Sequence, residues 1–434
     1  MNNNISVQVL NLLFALQMNF LFPFVVGVEY YGDYISITAI AIFVSRIAEA
    51  GFDNVILTKY AGSPSLFLPT LLWDVLLPKA LFAALAVLPV VFLSGHWEIL
   101  LLVLAQSASS FFSTWLYARK MHHQLIFFLG AAIILFLGLL LLFVKHEVSL
   151  FTAVLLFSGL NVLFAILAAC LTLGMPKHVD EIAPSLNFSE TVGFVIQSLN
   201  ASFFSGGFVF LASLFMGGER LGLFRIYTSV VQAATSLFPV NIKIILTNLV
   251  LIKEDEEIHE RARYLSGILL INAVFLLVIP VALMVEGLLG IPGGRQSIIY
   301  IALCPFAYMF LMIMDKVMLA VMGPVKAGLY SFSIVMMVCI IATLPIRLSG
   351  FDENHIELIY FRSISFGLLL QAITMLVQAR DNSISVAGLL IASLLLSFSY
   401  IQIFTLVPLM VAVIAVVGIQ VFLYKPRIID VIRR

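Results

Sequence analysis

Gly27-Val-Glu29-Tyr-Tyr-Gly32 returns about 190 positions later as Gly217-Gly-Glu219-Arg-Leu-Gly222. Each copy follows a polar pair, Gln8 and Asn11 before the first and Gln197 and Asn200 before the second. The motif opens 16 residues past Asn11 in one copy and 17 past Asn200 in the other, and each copy runs straight into an apolar stretch. A glycine permits the tight reversal such a junction needs, and a glutamate near the start of the next helix suits the helix dipole. The motif therefore reads as a turn between two spans, used twice.

The rest of the chain supplies the spans. Of its 434 residues, 62% are hydrophobic and only 11% charged. Soluble domains are about 45–50% apolar and about 25% charged, so the solvent for this surface is lipid. Apolar runs long enough to cross a bilayer lie near 5–26, 34–57, 76–93, 99–118, 125–144, 150–173, 192–215, 222–250, 265–289, 298–322, 327–346, 357–377, 384–399 and 403–424. Helices satisfy their own backbone groups and are the form these runs are expected to take. The expected fold is all-α and polytopic, with about 14 transmembrane helices.

The connections orient them. The even-numbered connections and the C-terminal tail carry fourteen Lys and Arg residues, and the odd-numbered ones carry Lys145, Arg220, Arg295 and Arg347. Basic loops stay cytoplasmic, so both termini are expected inside. Six spans separate the two motif copies, which gives the copies the same topology and makes a parallel repeat about an axis along the membrane normal. Two six-helix lobes follow, 1–175 and 176–380. Residues 381–434 form two extra helices, expected at the periphery, and a basic tail. Pro89, Pro239, Pro280, Pro305 and Pro345 fall inside spans and allow bends.

Several classes of function are excluded. Lys and Arg (23) balance Asp and Glu (23), so there is no positive field on the scale a nucleic acid needs. No phosphate-binding P-loop is present. Cys170, Cys304 and Cys339 lie in apolar runs and read as small hydrophobes, and the histidines fall in connections without metal-ligand spacing. No metal and no cofactor are expected. The first basic residue is Arg46, so the chain is expected to lack the positive start of a cleavable signal peptide.

The string VGVEYYGDYISITAIAIFVSRIAEAGFDNVIL (Val26–Leu57) resembles the opening of Wzx-type polysaccharide flippases, of the multidrug/oligosaccharidyl-lipid/polysaccharide exporter superfamily. The family pattern is a short external turn with Glu/Asp-x-x-Gly-x-Tyr, here Glu29, Gly32 and Tyr34. A span follows that closes on a small-acidic-small-Gly-aliphatic element, here Ala48 to Phe52. Gly217–Gly222 matches the turn again, and Met314–Gly323 with Lys326 is similar to the family's tenth span. The likeness extends over about residues 1–380. One departure stands out: many relatives place basic residues before or in the first span, and here none precedes Arg46, so the family's first-span cationic contact has no counterpart.

The resemblance implies a transporter rather than an enzyme. Its substrate would be an undecaprenyl-pyrophosphate-linked oligosaccharide, moved across the bacterial cytoplasmic (inner) membrane for O-antigen, lipopolysaccharide or capsule synthesis. A proton or sodium gradient would drive it, membrane lipid would surround it, and a polysaccharide polymerase and chain-length regulator would be its partners. A multidrug or cation exporter on the same fold is the alternative, and an O-antigen polymerase a weaker one, since no long external loop is present.

Ionisable groups within spans are the candidate site residues. Arg46, Glu49 and Asp53 fall within about 60° on one face of the second span. Arg46 is the candidate pyrophosphate contact, since its planar fork suits phosphate oxygens. Glu49 and Asp53 are the candidate ion-coupling groups, joined by Asp315. The alternative is an arginine and carboxylates that only neutralise one another. Gln8, Asn11, Gln197 and Asn200 are expected to line a cavity opposite one another, or else to join helices by hydrogen bonds. Arg225, Arg362 and Lys243 complete the substrate-binding candidates. Asp315 and Lys316 are adjacent and should point about 100° apart.

Overall fold

The computed structural model describes residues 2–56, 72–118, 121–173, 188–236, 245, 249, 257–277, 294–348, 356–378, 383–401 and 406–426. Among them there is helix and no strand. The chain is an all-helical, multi-pass membrane protein. Eight helices are long and apolar enough to cross a bilayer, and a bent pair, Ser189–Asn200 with Phe203–Ser213, makes a ninth among the described residues.

The chain divides into two compact units, Met1–Ser229 and Val230–Arg434. The lobe boundaries 1–175, 176–380 and 381–434 rest on the repeat alone.

The first unit begins with α1 (Asn2–Leu16), a π-helical segment Gln17–Leu21, and α2 (Phe22–Val26). After Gly27 comes α3 (Val28–Val55). A second π-helical segment, Leu72–Leu76, leads into α4 (Leu77–Ser94). Then follow α5 (Glu98–Ala118), α6 (His122–Lys145) and α7 (Leu150–Leu173). The seventh apolar run is α8 (Phe188–Ser202), a π-helical segment Phe203–Gly207, and α9 (Phe208–Ser213), and α10 (Gly218–Ser236) comes next.

Two of these π segments have a local cause. Pro23 and Pro78 sit at the starts of α2 and α4. A proline cannot donate to the carbonyl four residues back and its ring clashes with it, and a widened turn absorbs both problems. The third segment has Gly206 and Gly207 in place of a proline, and the chain bends by 42° there. The other prolines noted within spans lie inside helices where they are described. Pro89 lies within a continuous α4, and Pro305 and Pro345 lie within one helical run. Pro239 and Pro280 fall outside the described residues.

The core of this unit is aromatic. Phe22 is 1% exposed and has Tyr31, Tyr34, Phe143 and Phe157 around it at ring-centroid distances of 5.7, 5.6, 5.2 and 5.1 Å. These are mostly edge-to-face contacts, the arrangement ring quadrupoles prefer.

Small residues bring α3 against the seventh run along its length. Gly51 packs on the backbone of Val195, Gly206 on Phe43 and Gly207 on the Phe43 ring. Ser198 Oγ lies 2.9 Å from the carbonyl oxygen of Ile47. At the far end the two repeated turns meet. A Cβ on Gly32 would overlap the carbonyl of Gly218, and a Cβ on Gly222 would overlap the carbonyl of Val28. In the alignment of the two copies Val28 corresponds to Gly218 and Gly32 to Gly222. The contact is therefore reciprocal, as a local twofold relation requires. Glu29 and Glu219 are exposed at this junction, in line with their reading as turn residues.

The second unit contains α11 (Glu257–Ala273) with a 3-10 turn Val274–Leu277, α12 (Gly294–Leu348), α13 (Ile356–Gln378), α14 (Ser383–Ile401) and α15 (Leu406–Tyr424). The apolar stretch Ala302–Ala342 has 41 residues. At 1.5 Å per residue it is about twice as long as a hydrocarbon core is thick. Gly323, at φ 73° and ψ 168°, breaks it into two arms, which match the tenth and eleventh apolar runs. The last apolar stretch is two helices, as the sequence suggested. The first of them is not peripheral: Ala387, Ile391, Ala392 and Leu395 are fully buried, and Gly388 lies against Ala372, Met314 and Phe310.

Candidate functional site

The polar heart of the first unit joins α3, α4 and α5. On α3, Ser45 and Asp53 are eight residues apart, and on α5 so are Gln106 and Thr114. Ser45 Oγ donates to Gln106 Oε1 at 2.9 Å and Thr114 Oγ1 donates to Asp53 Oδ2 at 2.6 Å. Equal spacing on both helices means that α3 and α5 run parallel and in register.

Lys79 enters this seam from the first turn of α4. Its Nζ is 3.7 Å from Asp53 Oδ1, and its side chain is 0% exposed against 10% for Asp53. It also donates to Ser110 Oγ. An unpaired buried charge is strongly unfavourable, and the Asp53 carboxylate offsets it. The sequence reading counted Lys79 among the basic residues of the even-numbered connections and missed its role. The available signal was the run Ser107, Ser109, Ser110, Ser113 and Thr114, an unusual density of hydroxyls for a membrane span.

The expected trio on α3 is thus divided. Asp53 turns to Lys79. Arg46 keeps Glu49, with Nη1 4.0 Å from Oε2 and side-chain exposures of 49% and 25%. The stem of Arg46 rests on Gly206, whose Cβ position lies 3.6 Å from Arg46 Cγ.

Other candidates have other neighbours. Arg225 is 5% exposed. Its Nη1 is 3.5 Å from the carbonyl oxygen of Ser205, and its side chain hydrogen-bonds the Tyr31 hydroxyl. Arg362 Nη2 donates to the carbonyl of Ser399 at 2.5 Å, and its guanidinium sits 4.0 Å from the centre of the Tyr400 ring. Both arginines tie helices together. Asp315 and Lys316 do not diverge: Lys316 Nζ reaches back to 3.5 Å from Asp315 Oδ2, and both are buried. Gln197 and Asn200 are fully buried whereas Asn11 is exposed, so the matched polar pairs do not share one environment. The Gln8 side chain and Lys243 lie outside what is described. Cys304 is buried, but Cys170 is exposed, so that one is not the buried hydrophobe expected.

No family model matches the chain. No curated protein matches it. Among solved structures, the crystal structure of a eukaryotic MATE transporter is similar at a TM-score of 0.40 and 12% identity, over 89% of this chain and 94% of that one.

Proposed function

We propose that the chain is a gradient-driven transporter that moves a lipid-linked oligosaccharide across a bacterial cytoplasmic membrane. The observation that carries this reading is the Arg46–Glu49 pair. Arg46 lies near the middle of the apolar run 34–57, yet its side chain is 49% exposed. A guanidinium at that depth is not stable against lipid tails, so the exposed face belongs to a watered path. An arginine fork there suits a pyrophosphate group. The substrate class comes from the resemblance of Val26–Leu57 to polysaccharide flippases. Two lobes, 1–175 and 176–380, would alternate access, with both termini cytoplasmic and a polymerase and chain-length regulator taking up the product.

Each proposed ion-coupling carboxylate has a cation beside it: Glu49 has Arg46, Asp53 has Lys79 and Asp315 has Lys316. A proton or sodium ion arriving on one of these carboxylates would free its cation. That exchange is a simple way to link an ion gradient to movement.

The test uses cells lacking the protein. They should lose a surface glycan and accumulate its lipid-linked unit on the cytoplasmic leaflet. A unit that still reaches the outer leaflet unpolymerised would favour a polymerase, and unchanged glycan with altered drug sensitivity would favour a multidrug exporter. In complemented cells Arg46→Ala should reduce export about 10- to 100-fold, the factor for one lost charge-assisted bond. Arg46→Lys should retain part of it. If Arg46→Ala with Glu49→Ala restores both abundance and export, Arg46 only balances its neighbour and the substrate role fails.

A further inference from the structure

Each repeat copy has a π-helical segment in its first span, Gln17–Leu21 in the first apolar run and Phe203–Gly207 in the seventh, about one helical turn apart when the copies are aligned. Each is closed by a bond spanning five residues, from Phe22 N–H to the Gln17 carbonyl and from Phe208 N–H to the Phe203 carbonyl. Such segments are rare, frequent at functional sites and among the places where helices kink. The third residue of each segment, Asn19 and Ser205, faces the same helix, α10.

On α10 the partners are Arg225 and Ser229, one turn apart. Ser229 Oγ lies 2.8 Å from Asn19 Oδ1 and 2.7 Å from the carbonyl oxygen of Arg225. Asn19 Nδ2 in turn donates to the Ala15 carbonyl at 2.8 Å. The Arg225 guanidinium approaches the Ser205 carbonyl and bonds Tyr31 on α3. Ser229 and Arg225 are both at most 5% exposed.

We infer that the Arg225–Ser229 face of α10 is a latch that holds both π-helical hinges in one form and makes them change together. Arg225 is then a positioning residue rather than a substrate contact. The inference deepens the transporter reading, since paired hinges give the repeated spans a way to move in concert. Its test needs no substrate.

Cys170, Cys304 and Cys339 are replaced by alanine in the full-length chain. Spin labels are placed at Phe24→Cys and Leu214→Cys, which lie beyond the two hinges and are 86% and 60% exposed. The purified protein in lipid nanodiscs is then measured by pulsed dipolar spectroscopy. Ser229→Ala removes the hydroxyl shared between Asn19 and α10, and should shift the ratio of distance populations roughly two- to tenfold, the range for one buried hydrogen bond. Ser229→Thr should restore it. Asn19→Ala, which alters the first hinge only, should also raise label mobility at Leu214 beyond the second hinge. Should Ser229→Ala fail to yield a monodisperse protein, Asn19→Ala carries the same distance test. Unchanged distances in folded variants, or mobility confined to the altered hinge, would overturn the latch. Because export is not part of the readout, the latch and the transport proposal fail separately.

Discussion

Lys79 and Asp53 show how much a single buried charge depends on its partner. The pair is held 3.7 Å apart with the lysine side chain fully buried. Lys79→Met takes the cation away from the buried Asp53 carboxylate and should lower stability by about 3–5 kcal/mol, the usual result of breaking a buried pair. Lys79→Met with Asp53→Asn removes both charges and should recover most of the loss. Thermal unfolding of the purified protein, followed by loss of monodispersity, checks both. Recovery of stability without recovery of export would place the pair in the coupling step, and recovery of both would make it purely structural. The seam was partly legible. Asp53 stood out as an ionisable residue in a span, but its partner is on another helix, and spacing along one helix cannot select between helices.

At the level of elements, the glycines divide into two kinds. Gly32 and Gly222 sit where two helix starts cross, and a Cβ on either would strike a carbonyl oxygen of the opposing backbone. A backbone cannot swing aside as a side-chain tip can. Gly32→Ala and Gly222→Ala should each destabilise by at least about 1–3 kcal/mol. Gly130 and Gly159 lie in helices with nothing within 4 Å of the added Cβ. Gly159→Ala should be neutral or slightly stabilising, by up to about 1 kcal/mol, because alanine favours helix. Unfolding midpoints of the three variants give the comparison, and equal shifts would mean the crossing is loose. The sequence marked the Gly-x-Glu-x-x-Gly turns as a repeat, but not that the two copies touch. The bends also escaped it in part. Prolines within spans drew notice, whereas the widened turns sit just before Pro23 and Pro78 and at Gly206–Gly207, where helix starts and glycines relieve the strain.

On the scale of the whole molecule the predictions concern orientation and symmetry. The basic connections predict that the repeated turns are external and the C-terminus internal. A Glu219→Cys variant, otherwise free of cysteine, should react with a membrane-impermeant maleimide in intact spheroplasts. A Lys425→Cys variant should react only after permeabilisation. The reverse pattern would invert the topology and, with it, the direction assigned to transport. Symmetry is checked by an experimental structure, in which 1–175 should superpose on 190–380 with the same order of spans. The reciprocal contact of Gly32 with Gly218 and of Gly222 with Val28 is the local form of that relation.

The sequence by itself determined that the chain is helical and membrane-borne and, among the described residues, where the spans lie. Both follow from composition and from the length of apolar runs, which are properties of contiguous residues and need no neighbour. It also carries the matched Gly-x-Glu-x-x-Gly turns, since matched spacing survives in one dimension. Tertiary structure decided which charges pair. Asp53 found Lys79, Lys316 folded back on Asp315, and Arg225 and Arg362 went to backbone carbonyls rather than to an open face. In a medium of low dielectric a charge goes to the nearest group that can satisfy it. That group is set by which helices meet and at what depth, and helix packing is the one quantity a linear pattern does not carry.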